Sequence, residues 1–180
     1  MDRTQLATEI AAVAMLRGTF TLRSGKTSHY YLDKYLFSTR PEILRELGAM
    51  FAARVPRGTA RLAGAELGGI PLVSAASMAS GLPCVFVRNQ KKDYGTAKQL
   101  EGRLERGDRV MIVEDVATTG GQALEAAAVL RGAGAEIVAI VSVIDRLEGA
   151  REHIEAAGIR FDSLFTVRDL GITPEPAAAP

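Results

Sequence analysis

Neither sign of charge dominates this sequence: 22 lysines and arginines stand against 21 aspartates and glutamates, a formal net charge of +1. Such a chain has no global field to recruit nucleic acid or an anionic membrane, so any anion site must be local. Cysteine is nearly missing as well. Cys84 stands alone, which excludes a disulfide framework and a four-ligand zinc site, and its neighbours in Pro83-Cys84-Val85-Phe86-Val87 make it a small buried core residue. Long hydrophobic runs are also absent. Nothing approaches the roughly 20 apolar residues that span a bilayer, and the N-terminus carries no positive segment leading into an apolar run. The chain reads as cytoplasmic. Two familiar phosphate motifs are missing too, Gly-x-x-x-x-Gly-Lys-Ser/Thr and Gly-x-Gly-x-x-Gly after a strand, which argues against nucleoside triphosphate hydrolysis and dinucleotide binding.

What is present is enough apolar material, 47% of 180 residues, for one substantial core, so a single domain over residues 1–172 is expected. Leu6, Ile10, Val13 and Leu16 recur at helical spacing, with Asp2 or Thr4 available as a cap. Residues 20–22 and 28–33 are short extended segments around the turn-like Ser24-Gly25-Lys26, a hairpin pattern. Pro41 suits the first turn of a helix whose buried face is Leu44, Leu47 and Phe51. From Arg61 onward, apolar runs alternate with helical stretches, the pattern of a parallel sheet covered on both faces. Strands are predicted at 62–65, 85–88, 110–114 and 137–144, with 161–166 at an edge, and helices at 71–79, 122–131 and 150–156. The fold class is an open α/β domain. There is no internal repeat, and the proline-containing tail 173–180 is expected to be disordered.

The chemistry concentrates in Val110-Met111-Ile112-Val113-Glu114-Asp115-Val116-Ala117-Thr118-Thr119-Gly120-Gly121-Gln122. Four apolar residues make a buried strand, and two carboxylates end it at the carboxyl edge, where open α/β sheets place their ligands. The Thr118 to Gly121 turn then opens a helix whose unpaired N–H groups, with the threonine hydroxyls, suit a monophosphate. Carboxylates repel phosphate, so Glu114 and Asp115 suit the vicinal hydroxyls of a ribose instead. A sugar phosphate accounts for both halves.

This segment resembles the phosphoribosyl pyrophosphate (PRPP) motif of type I phosphoribosyltransferases, and three other segments resemble their orotate-using branch. Residues 20–31, with Arg23, Lys26, Tyr30 and Tyr31, look like the hairpin that closes over orotate. Arg146 in Ile144-Asp145-Arg146 stands where that branch carries an arginine for the substrate carboxylate, a match of fork to fork. Residues 88–96 look like the mobile catalytic loop, keeping Arg88 and Lys92 but carrying Asn89 and Tyr94 where the family has other residues. Residues 64–71 resemble the pyrophosphate loop; some members have a lysine at the position of Gly68, so here only backbone can contribute.

The resemblance implies a type I phosphoribosyltransferase fold: an open, mainly parallel sheet flanked by helices, with a PRPP-binding core near 60–168 and an N-terminal helix and hairpin near 1–38 as a hood. It implies transfer of phosphoribosyl from PRPP to orotate, giving orotidine 5′-monophosphate and pyrophosphate in pyrimidine biosynthesis. A purine or uracil enzyme of the same family, or a non-catalytic sensor of PRPP or nucleotide, is the alternative. Lys92, Glu114 and Asp115 are then the catalytic residues. PRPP is bound by Arg88, Lys92, Glu114, Asp115, Val116, Ala117, Thr118, Thr119, Gly120, Gly121 and Gln122, with Glu66, Leu67, Gly68 and Gly69 as the pyrophosphate loop. Thr118, Arg146, Arg23, Lys26 and Tyr31 are the orotate set. Magnesium is implied as a cofactor carried by PRPP, and a homodimer sharing its active sites as the assembly.

Overall fold

The alternating apolar runs become, in a computed structural model that describes residues 1–21, 27–89 and 99–173, a six-stranded sheet between two layers of helices. Its strands are β3 (Arg61–Ala65), β4 (Cys84–Val87), β5 (Leu100–Glu101), β6 (Arg109–Ala117), β7 (Glu136–Asp145) and β8 (Phe161–Thr166), in the order β5-β4-β3-β6-β7-β8. All pairings are parallel except β4 with β5. Side chains alternate along β6 as a pleated strand requires. Met111 and Val113 enter one core with α1 (Arg3–Ala14), α3 (Pro41–Ala52) and α4 (Gly69–Ser80), while Val110 and Ile112 enter the other with α5 (Gly121–Gly132) and α6 (Ala150–Ala156). Burial on both faces is why these strands read as unbroken apolar runs.

Ahead of the sheet, β1 (Met15–Thr21) and β2 (Thr27–Leu32) form a separate antiparallel pair. Helix α1 is closed at its start by a capping box between Asp2 and Gln5, which settles the choice of cap, and it ends at Ala14. The sequence pattern carries it on to Leu16. Pairing of Met15 with Leu32 and Leu16 with Tyr31 captures those residues as strand instead, and Leu16 is left 40% exposed. A short helix α2 (Lys34–Ser38), absent from the sequence pattern, follows β2; its cap is Asp33, which accepts from the Tyr35 N–H at 3.0 Å.

Helix α3 begins at Pro41 as expected, but its buried stripe is Ile43, Leu47 and Phe51, with Leu44 only half-buried. The i, i+4, i+8 row meets the core and Leu44 borders it. β5 escaped notice because two residues carry no periodicity. β6 runs three residues beyond the predicted end at 114, since Val116 and Ala117 stay paired with Ile144 and Asp145. Cys84 is half-buried rather than fully enclosed. Among the described residues no helix is long and apolar enough to cross a membrane.

Candidate active site at the carboxyl ends of β6 and β7

Because β6 continues to Ala117, both acids lie within the strand. Glu114 and Asp115 are 4% and 2% exposed. Glu114 Oε1 accepts from the Asp115 N–H at 3.1 Å, whereas Oε2 is buried with no partner among the described residues. Burial raises its pKa first, and the neighbouring Asp115 charge and side chain add to the rise, so the carboxyl is pushed up to about 8. Asp115 is treated differently. Its Oδ1 accepts from the Val116 N–H at 2.6 Å and its Oδ2 meets the Lys34 ammonium at 2.8 Å.

The turn after the strand has the form of an anion cradle. Glu114 and residues 116–123 enclose a small hollow of about 80 Å³. Thr118 and Thr119 are exposed, and Gly120 adopts φ +81°, where a Cβ would lie 2.9 Å from Ile154, so only glycine turns the chain into α5 here. The His153 Nδ1–H donates to the Thr119 carbonyl at 2.9 Å and ties the turn to α6. Beside this hollow opens a cleft of about 620 Å³.

The turn from β3 into α4 forms another wall. Its Glu66–Leu67 peptide is cis, Leu67 is 64% exposed, and Glu66 Oε1 accepts from the Asn89 N–H at 2.7 Å. The Gln122 side-chain amide donates to the Glu66 carbonyl at 3.3 Å, joining this turn to the start of α5. Gly68 packs so tightly that a Cβ would fall 1.6 Å from Asp115 Oδ2. Gly69 starts α4. Arg88 follows β4, with a buried Nε that has no partner among the described residues and Nη1 3.9 Å from Glu101.

At the end of β7, Arg146 is 9% exposed and its backbone N–H donates to the Ala117 carbonyl at 2.9 Å, which fixes it beside the β6 turn. Its Nη2 donates to the Tyr30 hydroxyl at 3.0 Å, with the guanidinium 5.2 Å from the Tyr30 ring centre. Nε lies 2.7 Å from Glu148 without the alignment of a hydrogen bond, so that contact is ionic. Asp145, buried one position earlier, accepts from the Leu147 N–H at 2.8 Å; burial drives its carboxyl above the ordinary range. Tyr31 is 45% exposed and faces Phe20, ring centres 5.7 Å apart, so Tyr30 rather than Tyr31 reaches Arg146.

The structure thus gathers Glu114, Asp115, the 116–122 turn, the 66–69 turn and Arg146 at one edge of the sheet. Arg23, Lys26 and Lys92, with Tyr94, lie outside the described residues. Lys34 and Glu148 were not foreseen, for neither sits in a motif; Lys34 meets Asp115 only across the fold, and Glu148 meets Arg146 from two residues further on.

The comparisons with known proteins agree with this geometry. Residues 56–162 match the phosphoribosyl transferase domain model. The orotate phosphoribosyltransferase of Halobacterium salinarum is 48% identical over 160 residues, covering 89% of this chain and 91% of that protein. The orotate phosphoribosyltransferase of Mycobacterium tuberculosis superposes with a TM-score of 0.84 at 33% identity, covering 96% of this chain and all of that one. A complex of the same mycobacterial enzyme with PRPP gives 0.81 at 32% identity, with the same coverage. The fold is therefore that of a type I phosphoribosyltransferase, with the β1–β2 pair and α1 as its hood. Within that class, the chain belongs to the orotate phosphoribosyltransferase family.

Proposed function

We propose that the chain transfers the phosphoribosyl group of PRPP to orotate, releasing pyrophosphate and forming orotidine 5′-monophosphate. The observation that carries this reading is the junction of the β6 turn with Arg146: a ribose-phosphate cradle and a guanidinium for a carboxylated ring stand side by side, joined by the Arg146 N–H to Ala117 contact. The N–H groups at the start of α5 and the hydroxyls of Thr118 and Thr119 hold the 5′-phosphate. Glu114 and Asp115 hold the ribose diol. Arg146, with Thr118 and with Arg23, Lys26 and Tyr31 of the hood, holds orotate through its carboxylate and ring face.

The ring nitrogen of orotate attacks the anomeric carbon as pyrophosphate leaves, and positive charge on the sugar in transit is offset by the Asp115 carboxylate, while Glu114, held protonated, serves the diol by hydrogen bonding. Orotate is ionised at its carboxylate at neutral pH while the attacking nitrogen still carries its proton, which passes to the departing pyrophosphate or to water as the new bond forms, and the rate comes mainly from positioning and electrostatics. The backbone of residues 66–69, with Arg88 and Lys92, receives the charge that develops on pyrophosphate. Among the described residues no cluster of three or more His, Cys, Asp or Glu side chains could hold a metal. The hard oxygens of a diphosphate and a diol suit magnesium, which would be carried by PRPP and would supply charge neutralisation at the leaving group.

Pyrophosphate release from PRPP and magnesium, assayed against a panel of free bases, tests the reading. Turnover with adenine or uracil and none with orotate would overturn the substrate assignment; PRPP binding without any release would make the chain a sensor. We further propose a cytoplasmic homodimer in which the loop bearing Lys92 serves the neighbouring site. Mixing inactive Lys92→Ala and Asp115→Asn subunits should restore activity, and a mixture as dead as its parents refutes the shared site.

A further inference from the structure

The turn from β3 into α4 brings no positive side chain to the 620 Å³ cleft it borders. A side chain at position 68 is sterically excluded, because its first carbon would collide with Asp115. Two carboxylates, Glu66 and Glu125, line the same cleft, so a diphosphate entering it meets negative potential unless a cation offsets them. Lys34 is the one cation lining the cleft among the described residues. It arrives from the hood, at the first residue of α2. Its ammonium spends one N–H on Asp115 at 2.8 Å, and its side chain keeps 30% of its surface in the open, which leaves donors free to face the cleft. Burial alone would lower its pKa, but the attraction and hydrogen bond of Asp115 outweigh that and hold the group above its usual value.

We propose that Lys34 is a further diphosphate-binding cation of this site, beside Arg88 and Lys92: it is shared between Asp115 and the leaving group, so that the hood and not the pyrophosphate turn supplies a positive side chain there. The role rests on the PRPP reading above and adds a residue that no motif in the sequence marks. It also distinguishes the two halves of PRPP. The sugar phosphate belongs to the β6 turn, and Lys34 acts on the diphosphate.

Calorimetric binding of pyrophosphate and of ribose 5-phosphate, each with magnesium, separates these halves in wild-type protein and in Lys34→Met, Lys34→Gln and Lys34→Arg. The neutral variants should lose ~10-fold or more in pyrophosphate affinity while ribose 5-phosphate changes less than ~2-fold, and arginine should restore most of the loss. In turnover, the KM for PRPP rises in the neutral variants and the KM for orotate does not. Retained ribose 5-phosphate binding certifies that a variant is folded; should the methionine variant fail to fold, the glutamine and arginine pair decides. Equal losses for both ligands would mean that Lys34 acts only by orienting Asp115, and unchanged pyrophosphate binding would remove the role altogether. Wild-type protein that binds neither ligand sinks the PRPP reading and Lys34 with it, whereas an active wild type with indifferent variants sinks Lys34 alone.

Discussion

The core sheet and the N-terminal hood meet at one site but are held in place by different forces. In the core, Val110, Met111, Ile112 and Val113 are fully buried between two helical layers, each contributing about 1–3 kcal/mol of apolar burial. The hood is thinner. Its β1–β2 pair is a two-stranded ribbon, marginal alone, and Leu16, Tyr31, Tyr35 and Leu36 all remain at least 40% exposed. Leu6, Ile10, Leu32 and Phe37 anchor it by burial, and among the described residues two polar bridges join it to the site: Lys34 to Asp115 and Tyr30 to Arg146. Both bridges end on residues assigned to the substrates. A substrate that engages Asp115 or Arg146 therefore acts on the contacts that seat the hood, and seating and binding are linked.

Cutting the first bridge from the core side should have the largest effect. Asp115→Asn removes a buried partner of Lys34 and a ligand of the ribose at once, and kcat/KM for PRPP is expected to fall by ~100-fold or more. Activity within a few-fold of wild type would mean that the acid only seats the hood. Cutting the second bridge is next. Arg146→Ala should raise the KM for orotate by ~10- to 100-fold with a much smaller change for PRPP, and Arg146→Lys should recover little because the fork is lost. Tyr30→Phe removes only the hydroxyl that Arg146 donates to, so a cost comparable to Arg146→Ala would shift the weight from guanidinium to hood.

A third prediction sharpens the contrast within the core. Among the described residues Glu114 is paired with no cation as its neighbour is, and its carboxyl is held up at about 8. In the unfolded chain it titrates near 4.5, so between these values the folded state binds the extra proton. The contribution to stability is full below the unfolded value, falls as pH rises, and is lost once pH passes the folded value. Thermal unfolding of wild type should therefore lose stability between pH 5 and 8 more steeply than that of Glu114→Gln. Parallel profiles for the two proteins would show that the carboxyl is not held protonated.

The same contrast explains how much was legible in the sequence. The β6 segment could be read because its features are local: an apolar run, adjacent acids and a threonine-glycine turn all fall within 13 residues. Arg146 was marked by resemblance, since it stands after the next apolar run where the orotate branch carries an arginine; its place alone reads as a surface arginine. The hood resisted for physical reasons. Period alone extended α1 to Leu16, but pairing with β2 decided otherwise, and tertiary contacts override a weak local pattern. Tyr30 and Tyr31 are chemically equal in sequence, and only the pleat tells which one meets Arg146. Lys34 reads as an ordinary surface lysine until the chain folds and sets it against an acid 81 positions away.

The smallest expected effect concerns the far end of the hood, where α1 is fastened to the C-terminal turn Val167–Leu170 and not to the site. Arg3 donates from Nη1 to Asp169 at 2.9 Å and from Nε and Nη2 to the Leu164 carbonyl, and it lies 4.9 Å from the Phe165 ring centre. The Arg3 hydrogen bond, against a smaller opposing effect of burial and with help from the Thr166 N–H and hydroxyl, lowers the Asp169 carboxyl to about 2. Because the arginine is half exposed, solvent screening reduces what that shift is worth, and Arg3→Ala should cost only ~1 kcal/mol at neutral pH. That corresponds to a drop in Tm of about 2–4 °C. The sign follows from a depressed folded pKa: the contribution is present above the unfolded value near 3.8 and disappears as pH falls through about 2. Urea unfolding of Arg3→Ala and wild type at pH 7 and at pH 2 should thus show a gap that narrows in acid. A gap that persists undiminished at pH 2 would assign the anchoring to the Leu164 carbonyl and the Phe165 ring, and the hood would then be pinned at this end by packing and backbone contacts alone.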